Sequence, residues 1–169
     1  MLTAEFCAIK ISHGLSHIVS GNNMKIDFLG NWPEFIPELA ALLHNEWADL
    51  YAAAGIAEED LHNILLQRTS TDQLPITLIA VDNGLLVGAG SLKLDEPGSK
   101  EGVSPWIGGL YIKSTFRGRG LGRDLVLALE SKAKEFGVTA LYLSADTAVD
   151  FYLKLGWQVL ERVESFGVR

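Results

Sequence analysis

Arg117, Gly118, Arg119, Gly120, Leu121 and Gly122 form the stretch of this chain with the clearest capacity for chemistry. Three glycines at alternate positions clear side chains from one short turn, so several backbone N–H groups can approach an anion. A strongly helical run follows. The first turn of a helix adds unsatisfied N–H groups and a partial positive charge at the same place. Arg117, Arg119 and Arg123 add full charges, and from Lys113 to Arg123 there are four basic residues and no acidic one. That combination suits a phosphate-bearing ligand better than a turn that merely reverses the chain. A second candidate, His13 and His17 four residues apart, has helix-face spacing for a metal. Gly14 and Ser16 make a poor helix there, and no acidic or cysteine partner is close. Residues 1–23 therefore read as a flexible or loosely attached N-terminal extension to a domain over 24–169.

The elements around the glycine turn follow from periodicity. Met24 to Gly30 resembles a first core strand. Ile36, Leu39, Ala40, Leu43 and Trp47 recur at spacings of three and four, which predicts a helix over Pro33–Ala54 ended by Gly55. Ala57-Glu58-Glu59-Asp60 opens a second helix, acidic at its positive end. His44 and His62 sit within these helices as core-edge residues. From Pro75 the period changes to that of strands: Ile76–Val81 and Leu85–Leu92 flank Asp82-Asn83-Gly84, a tight-hairpin signal. Trp106–Ile112 is a third strand of this sheet, and Gly108-Gly109 inside it predicts a bulge or a close backbone approach. Leu121–Phe136 is the best helix, with Leu121, Leu125, Ala128 and Leu129 on one side and Glu130 and Lys134 paired on the wet side. After Gly137, Val138–Ser144 returns as a strand, so the crossover is right-handed and the flanking strands are parallel. Thr147–Leu155 is a short helix, and Trp157–Val163 is a last strand. The fold class is α/β (α+β): a mixed sheet of about six strands, with an antiparallel hairpin followed by a parallel βαβ crossover.

The totals narrow the function. The 169 residues carry a net charge of −7. An acidic body repels a phosphate backbone, which argues against nucleic acid as partner. No apolar run approaches the ~20 residues of a membrane helix, so no membrane partner is expected. The first residues lack the order of a signal peptide. The single cysteine, Cys7, excludes an internal disulfide and a cysteine-built metal site. A cytoplasmic location without a metal is the expectation.

Three phosphate-binding patterns compete for the turn. A P-loop requires Gly-Lys followed by Ser or Thr, which is absent. A dinucleotide fold requires G-x-G-x-x-G, whereas the spacing here is G-x-G-x-G, and an antiparallel hairpin ahead of the turn does not fit a doubly wound sheet. The third pattern is a pyrophosphate site for coenzyme A. A second constellation lies one strand later: Asp150-Phe151-Tyr152-Leu153-Lys154-Leu155-Gly156-Trp157. Together the two segments resemble the GCN5-related N-acetyltransferase (GNAT) family. The glycine turn is similar to its Q/R-x-x-G-x-G/A acetyl-CoA signature, and Phe151-Tyr152 with Gly156-Trp157 is similar to its F/A-Y-x-x-x-G-F/W segment. The resemblance covers roughly residues 24 to 163.

The resemblance implies a GNAT-like sheet whose fourth and fifth strands splay apart, with acetyl-CoA as co-substrate and a primary amine as acceptor (a small amine, a lysine or a protein N-terminus). It places the pantetheine arm against backbone groups of Leu110, Tyr111 and Ile112, the pyrophosphate on N–H groups from about Gly118 to Arg123, and Phe151 beside the coenzyme. A lysine-like amine, with a reference pKa of about 10.4, is neutral in only about one molecule in a few thousand at pH 7. The amine must lose a proton and the departing sulfur must gain one. Tyr152 has the place in the motif and the protonation state for the second task. The base is open. The strand Trp106–Ile112 contains no carboxylate, where many relatives carry a glutamate. Asp146 either orders a water, binds the coenzyme arm, or caps the helix that follows. Asp95, Glu96 and Glu101 read as solvated loop charges near the acceptor cleft. The family's terminal β6–β7 hairpin also lacks its seventh strand here. Either a partner copy, forming a homodimer, or the Met1–Asn23 segment covers that edge. The alternative functions are a non-catalytic acyl-CoA-binding sensor, favoured by the missing carboxylate, and a nucleotide-binding regulator, disfavoured by the hairpin before the crossover.

Overall fold

The computed structural model describes residues 2–10, 24–96 and 99–165. In chain order the elements are β1 (Leu2–Lys10), β2 (Met24–Phe28), α1 (Ile36–Glu46), α2 (Ala48–Ala54), α3 (Glu58–Leu66), β3 (Ile76–Asp82), β4 (Leu85–Lys93), β5 (Trp106–Ile112), α4 (Leu121–Glu135), β6 (Ala140–Ala145), α5 (Val149–Lys154) and β7 (Gln158–Ser165). One sheet holds all seven strands in the order β2-β3-β4-β5-β6-β1-β7. Every pairing is antiparallel except β5 with β6, the two strands joined through α4.

The central strands are apolar without alternation because both faces of the sheet are covered. In β3, Ile76, Leu78 and Ala80 belong to the core beneath α4, while Ile79 and Val81 belong to the core beneath α1 and α3. Helix α4 comes close to β4 because Gly88 and Gly90 leave room for Leu125 and Leu129, whose side chains occupy the space a Cβ would need. On that helix Leu121, Leu125, Val126, Leu129 and Ala133 are buried. Glu130 is not on the wet side: it is partly buried, and its Oε1 accepts the Trp157 indole N–H at 2.9 Å. The long helix expected over Pro33–Ala54 is divided at Trp47, whose φ of −117° and ψ of 39° are not helical. The hairpin forms as expected, with a two-residue loop at Asn83 and Gly84 and positive φ at both.

The amino-terminal segment corrects the sequence reading. Leu2–Lys10 is not loosely attached. It forms β1, inserted between β6 and β7 and antiparallel to each. Among the described residues the sheet has seven strands. The strand missing after β7 in the sequence is supplied from the other end of the chain, which satisfies backbone groups that β6 and β7 would otherwise leave open. His13 and His17 lie outside the described residues. No helix among the described residues is long and apolar enough to cross a membrane.

Candidate active site

The site begins with a bulge. The β4–β5 register steps from Ser91 opposite Gly108 to Ala89 opposite Tyr111, so β5 carries one residue too many at Gly109 and Leu110. Gly109 absorbs it with a φ of +60°, a conformation that residues with a Cβ rarely adopt. The bulge coincides with the point where β5 leaves β6. Their parallel pairing joins Trp106 to Tyr142 and Ile107 to Leu143 and goes no further. From Gly108 to Ile112 the β6-facing edge of β5 has no strand beside it. That edge opens into a cleft of about 1290 Å³. Leu110, Tyr111 and Ile112 all line it.

The glycine turn stands at one end of this cleft. Gly118 and Gly120 have φ of +76° and +79°, and residues 117–120 are exposed. The left-handed Gly120 turns the chain directly into α4 without a side-chain cap. The first helical bond runs from Asp124 N–H to Gly120 O at 3.0 Å. The N–H groups of Leu121, Gly122 and Arg123 precede it and have no acceptor within the helix. At Gly122 a Cβ would lie 3.7 Å from the Phe151 ring and 3.9 Å from Ile112, so the turn abuts two residues of the cleft wall. The three arginines divide the work. Arg117 acts as a strut: its Nε donates to Ile112 O at 2.8 Å, its Nη2 lies 3.4 Å from Glu46 Oε1, and its guanidinium lies 5.8 Å from the Tyr111 ring centroid. Lys113 reinforces the same tie through Glu38 on α1 at 2.7 Å. Arg119 rests over Phe116 at 5.2 Å, and Arg123 is half exposed, with Asp124 at 3.8 Å.

Tyr152 and Asp146 reach the same cleft from the β6 side. Tyr152 is buried on α5, edge-on to Phe151 at 5.0 Å and to Trp157 at 5.9 Å. Asp146 is exposed just beyond β6, and its Oδ1 accepts the Thr147 N–H at 2.9 Å. Helix α5 starts at Val149 with Ala148 in the cap position, so Asp146 closes the turn ahead of that helix and does not cap it.

Tyr51 of α2, Arg68 after α3 and Lys93 at the end of β4, which local sequence did not single out, line the cleft together with Asp95 and Glu96 of the loop that follows. Glu96 is ion-paired with Lys93. Glu101 does not line it. Burial pushes the Tyr51 hydroxyl above its usual range against the opposing pull of Arg68. Burial also lowers the Arg68 guanidinium, while Tyr51, Asp95 and Glu96 act to raise it. No periodicity marks Arg68 or Tyr51, because their common position depends on how α2 and α3 fold back on the sheet. Among the described residues, no group of three or more His, Cys, Asp or Glu side chains is placed to hold a metal.

The model of the Acetyltransferase (GNAT) family matches residues 39–157. The chain belongs to the GNAT family. Solved GNAT structures share its fold. A GCN5-related N-acetyltransferase from Ralstonia eutropha superposes with a TM-score of 0.64 at 18% identity, covering 84% of this chain and 97% of that one. A predicted acetyltransferase from Clostridium acetobutylicum, solved with acetyl-CoA, gives 0.61 at 19% identity over 82% of this chain and 91% of that one. A GCN5-related N-acetyltransferase from Sphaerobacter thermophilus gives 0.65 at 18% identity; it covers 95% of this chain, which spans about half of that protein.

Acyl transfer from acetyl-CoA is the reaction of the GNAT family. The start of α4 leaves the N–H groups of Leu121, Gly122 and Arg123 without an acceptor in the helix, beside Arg119 and Arg123, and β5 diverges from β6 after Ile107.

Proposed function

We propose that this GNAT domain transfers the acetyl group of acetyl-CoA to a primary amine, with Tyr152 and Asp146 as its catalytic side chains. The observation that carries the reading is the convergence of the open β5 edge, Tyr152 and Asp146 on one cleft that ends at the glycine turn. Gly118, Gly120, Leu121, Gly122 and Arg123 present backbone donors to the diphosphate, Arg119 and Arg123 add charge, and Arg117 holds the turn to β5 and α1. Leu110, Tyr111 and Ile112 receive the arm, and Phe151 closes it against Gly122.

The amine nitrogen attacks the thioester carbonyl, a C–N bond forms, and the C–S bond breaks. Tyr152, neutral at physiological pH, donates its phenolic proton to the leaving sulfur and regains one from solvent. Asp146, at the wet rim, orders the water that removes the proton lost by the amine. β5 carries no carboxylate between Trp106 and Ile112, so the base comes from outside that strand.

Two measurements test this. Acetyl-CoA raises Tm by several degrees, whereas NAD and ATP at the same concentration do not. Free thiol is released when a panel of amines is added. A thermal shift without thiol release from any amine would replace transfer with non-catalytic acyl-CoA binding; no shift at all would remove the coenzyme site.

A further inference from the structure

The cleft that Tyr152 lines also holds a cation, Arg68, with no hydrogen-bond or ion-pair partner for its side chain among the described residues. The Arg68 main chain is pinned on both sides: its N–H donates to Leu65 O at 2.9 Å and its carbonyl accepts Thr77 N–H at 3.0 Å. The side chain is partly buried and lines the cleft. Among the described residues its guanidinium makes no hydrogen bond and no ion pair. Glu96, the carboxylate one might assign to it, is taken by Lys93. Asp95 acts on Arg68 only through space. A desolvated guanidinium has given up water without recovering its donors, which is costly unless something else supplies an acceptor.

We infer that the acyl acceptor is a small amine that also carries a carboxylate, an amino acid in chemical class, with Arg68 taking the carboxylate. The planar fork of arginine suits a two-oxygen anion and binds it in bidentate fashion. With Glu96 paired to Lys93, Asp95 remains beside Arg68; it disfavours a dianion such as a phosphate monoester and suits a zwitterion, whose ammonium offsets Asp95 and whose single negative charge meets Arg68.

The inference rests on reading this cleft as the acceptor site, so its test needs a readout besides turnover. Binding of amino acids and of their methyl esters to the protein saturated with CoA is measured by calorimetry, alongside thiol release with acetyl-CoA. At least one amino acid binds, and its ester binds ~10- to 100-fold more weakly, the range expected for losing a charge-assisted pair. Arg68→Gln weakens the acid by the same factor, leaves the ester unchanged, and keeps the acetyl-CoA thermal shift. Arg68→Lys restores part of the loss. Preferential binding of the acid without thiol release overturns the transfer reading and, with it, the acid's role as acyl acceptor. Thiol release that is equal for acid and ester, equal losses for both in Arg68→Gln, or no binding by any carboxylate-bearing amine overturns it.

Discussion

Tyr152 is useful because its ring and its hydroxyl have separable duties. The ring packs between Phe151 and Trp157 and is buried. The hydroxyl belongs to a side chain that lines the cleft. Tyr152→Phe keeps the ring, so the fold and the acetyl-CoA Kd stay within about twofold of wild type. Turnover falls by ~100-fold or more, the usual scale for losing a general acid. Stopped thiol release at saturating acetyl-CoA measures it, and unchanged kcat would remove Tyr152 from the reaction. A different residue governs acid stability. Burial would raise the Asp27 carboxyl, but hydrogen bonds from Asn31, Trp32 and the Phe28 N–H, with Lys25 beside it, outweigh that and hold it at about 2, against an ordinary value of 3.8. The folded state thus favours the carboxylate. The resulting stabilisation is present above 3.8 and is lost as pH falls toward 2. After allowance for solvent screening it is on the order of 1 kcal/mol. Asp27→Asn should lower the urea midpoint at pH 7, with the gap to wild type narrowing between pH 4 and pH 2.

At the scale of elements, the turn into α4 depends on one backbone conformation. A Cβ at Gly120 meets nothing within 4 Å, so crowding does not demand glycine there; the φ of +79° does. Gly120→Val forces that residue out of the left-handed region, or strains it by ~1–2 kcal/mol or more. Either way the Leu121–Arg123 amides lose their common direction. The acetyl-CoA thermal shift should disappear while the variant remains folded by circular dichroism. Gly122→Ala is the control for stability, because its φ is unexceptional and its new Cβ makes only ordinary contact with Phe151 and Ile112. A variant with valine at 120 that retains the full shift would show that these amides do not hold the coenzyme.

For the whole molecule, chain ends that are distant in sequence complete one sheet. Among the described residues, β7 has β1 as its one neighbour in the sheet, and β1 connects it to β6. Removing residues 1–10 opens the edge of β6 and leaves β7 without a partner. Tm should fall by at least about 5 °C, the shift expected from losing ~2 kcal/mol or more in a domain of this size. Exposed strand edges should also promote aggregation. Scanning calorimetry and light scattering on the shortened chain check both. A Tm unchanged by the truncation would show that β1 adds nothing to the sheet's stability.

The turn, the hairpin, α4 and the parallel crossover were legible in the sequence because each is set by local rules: glycine at positive φ, Asn-Gly between strand-like runs, a helical period closed by glycine. The amides at the start of α4, proposed to hold the coenzyme, were legible for the same reason, since backbone amides at a helix start are local by nature. Arg117 could be located but not assigned, because its duty as a strut depends on Glu46, 71 residues away. Glu130 looked solvated until Trp157 came over it from another element. The place of β1 and the meeting of Tyr51, Arg68 and Asp95 in the cleft that Tyr152 lines depended on long-range closure. Such contacts are stabilised by burial and shape, which leave no period in the chain. Sequence alone therefore determined the glycine turn and the helix start behind it, and only the folded molecule decided what lines the cleft beside them.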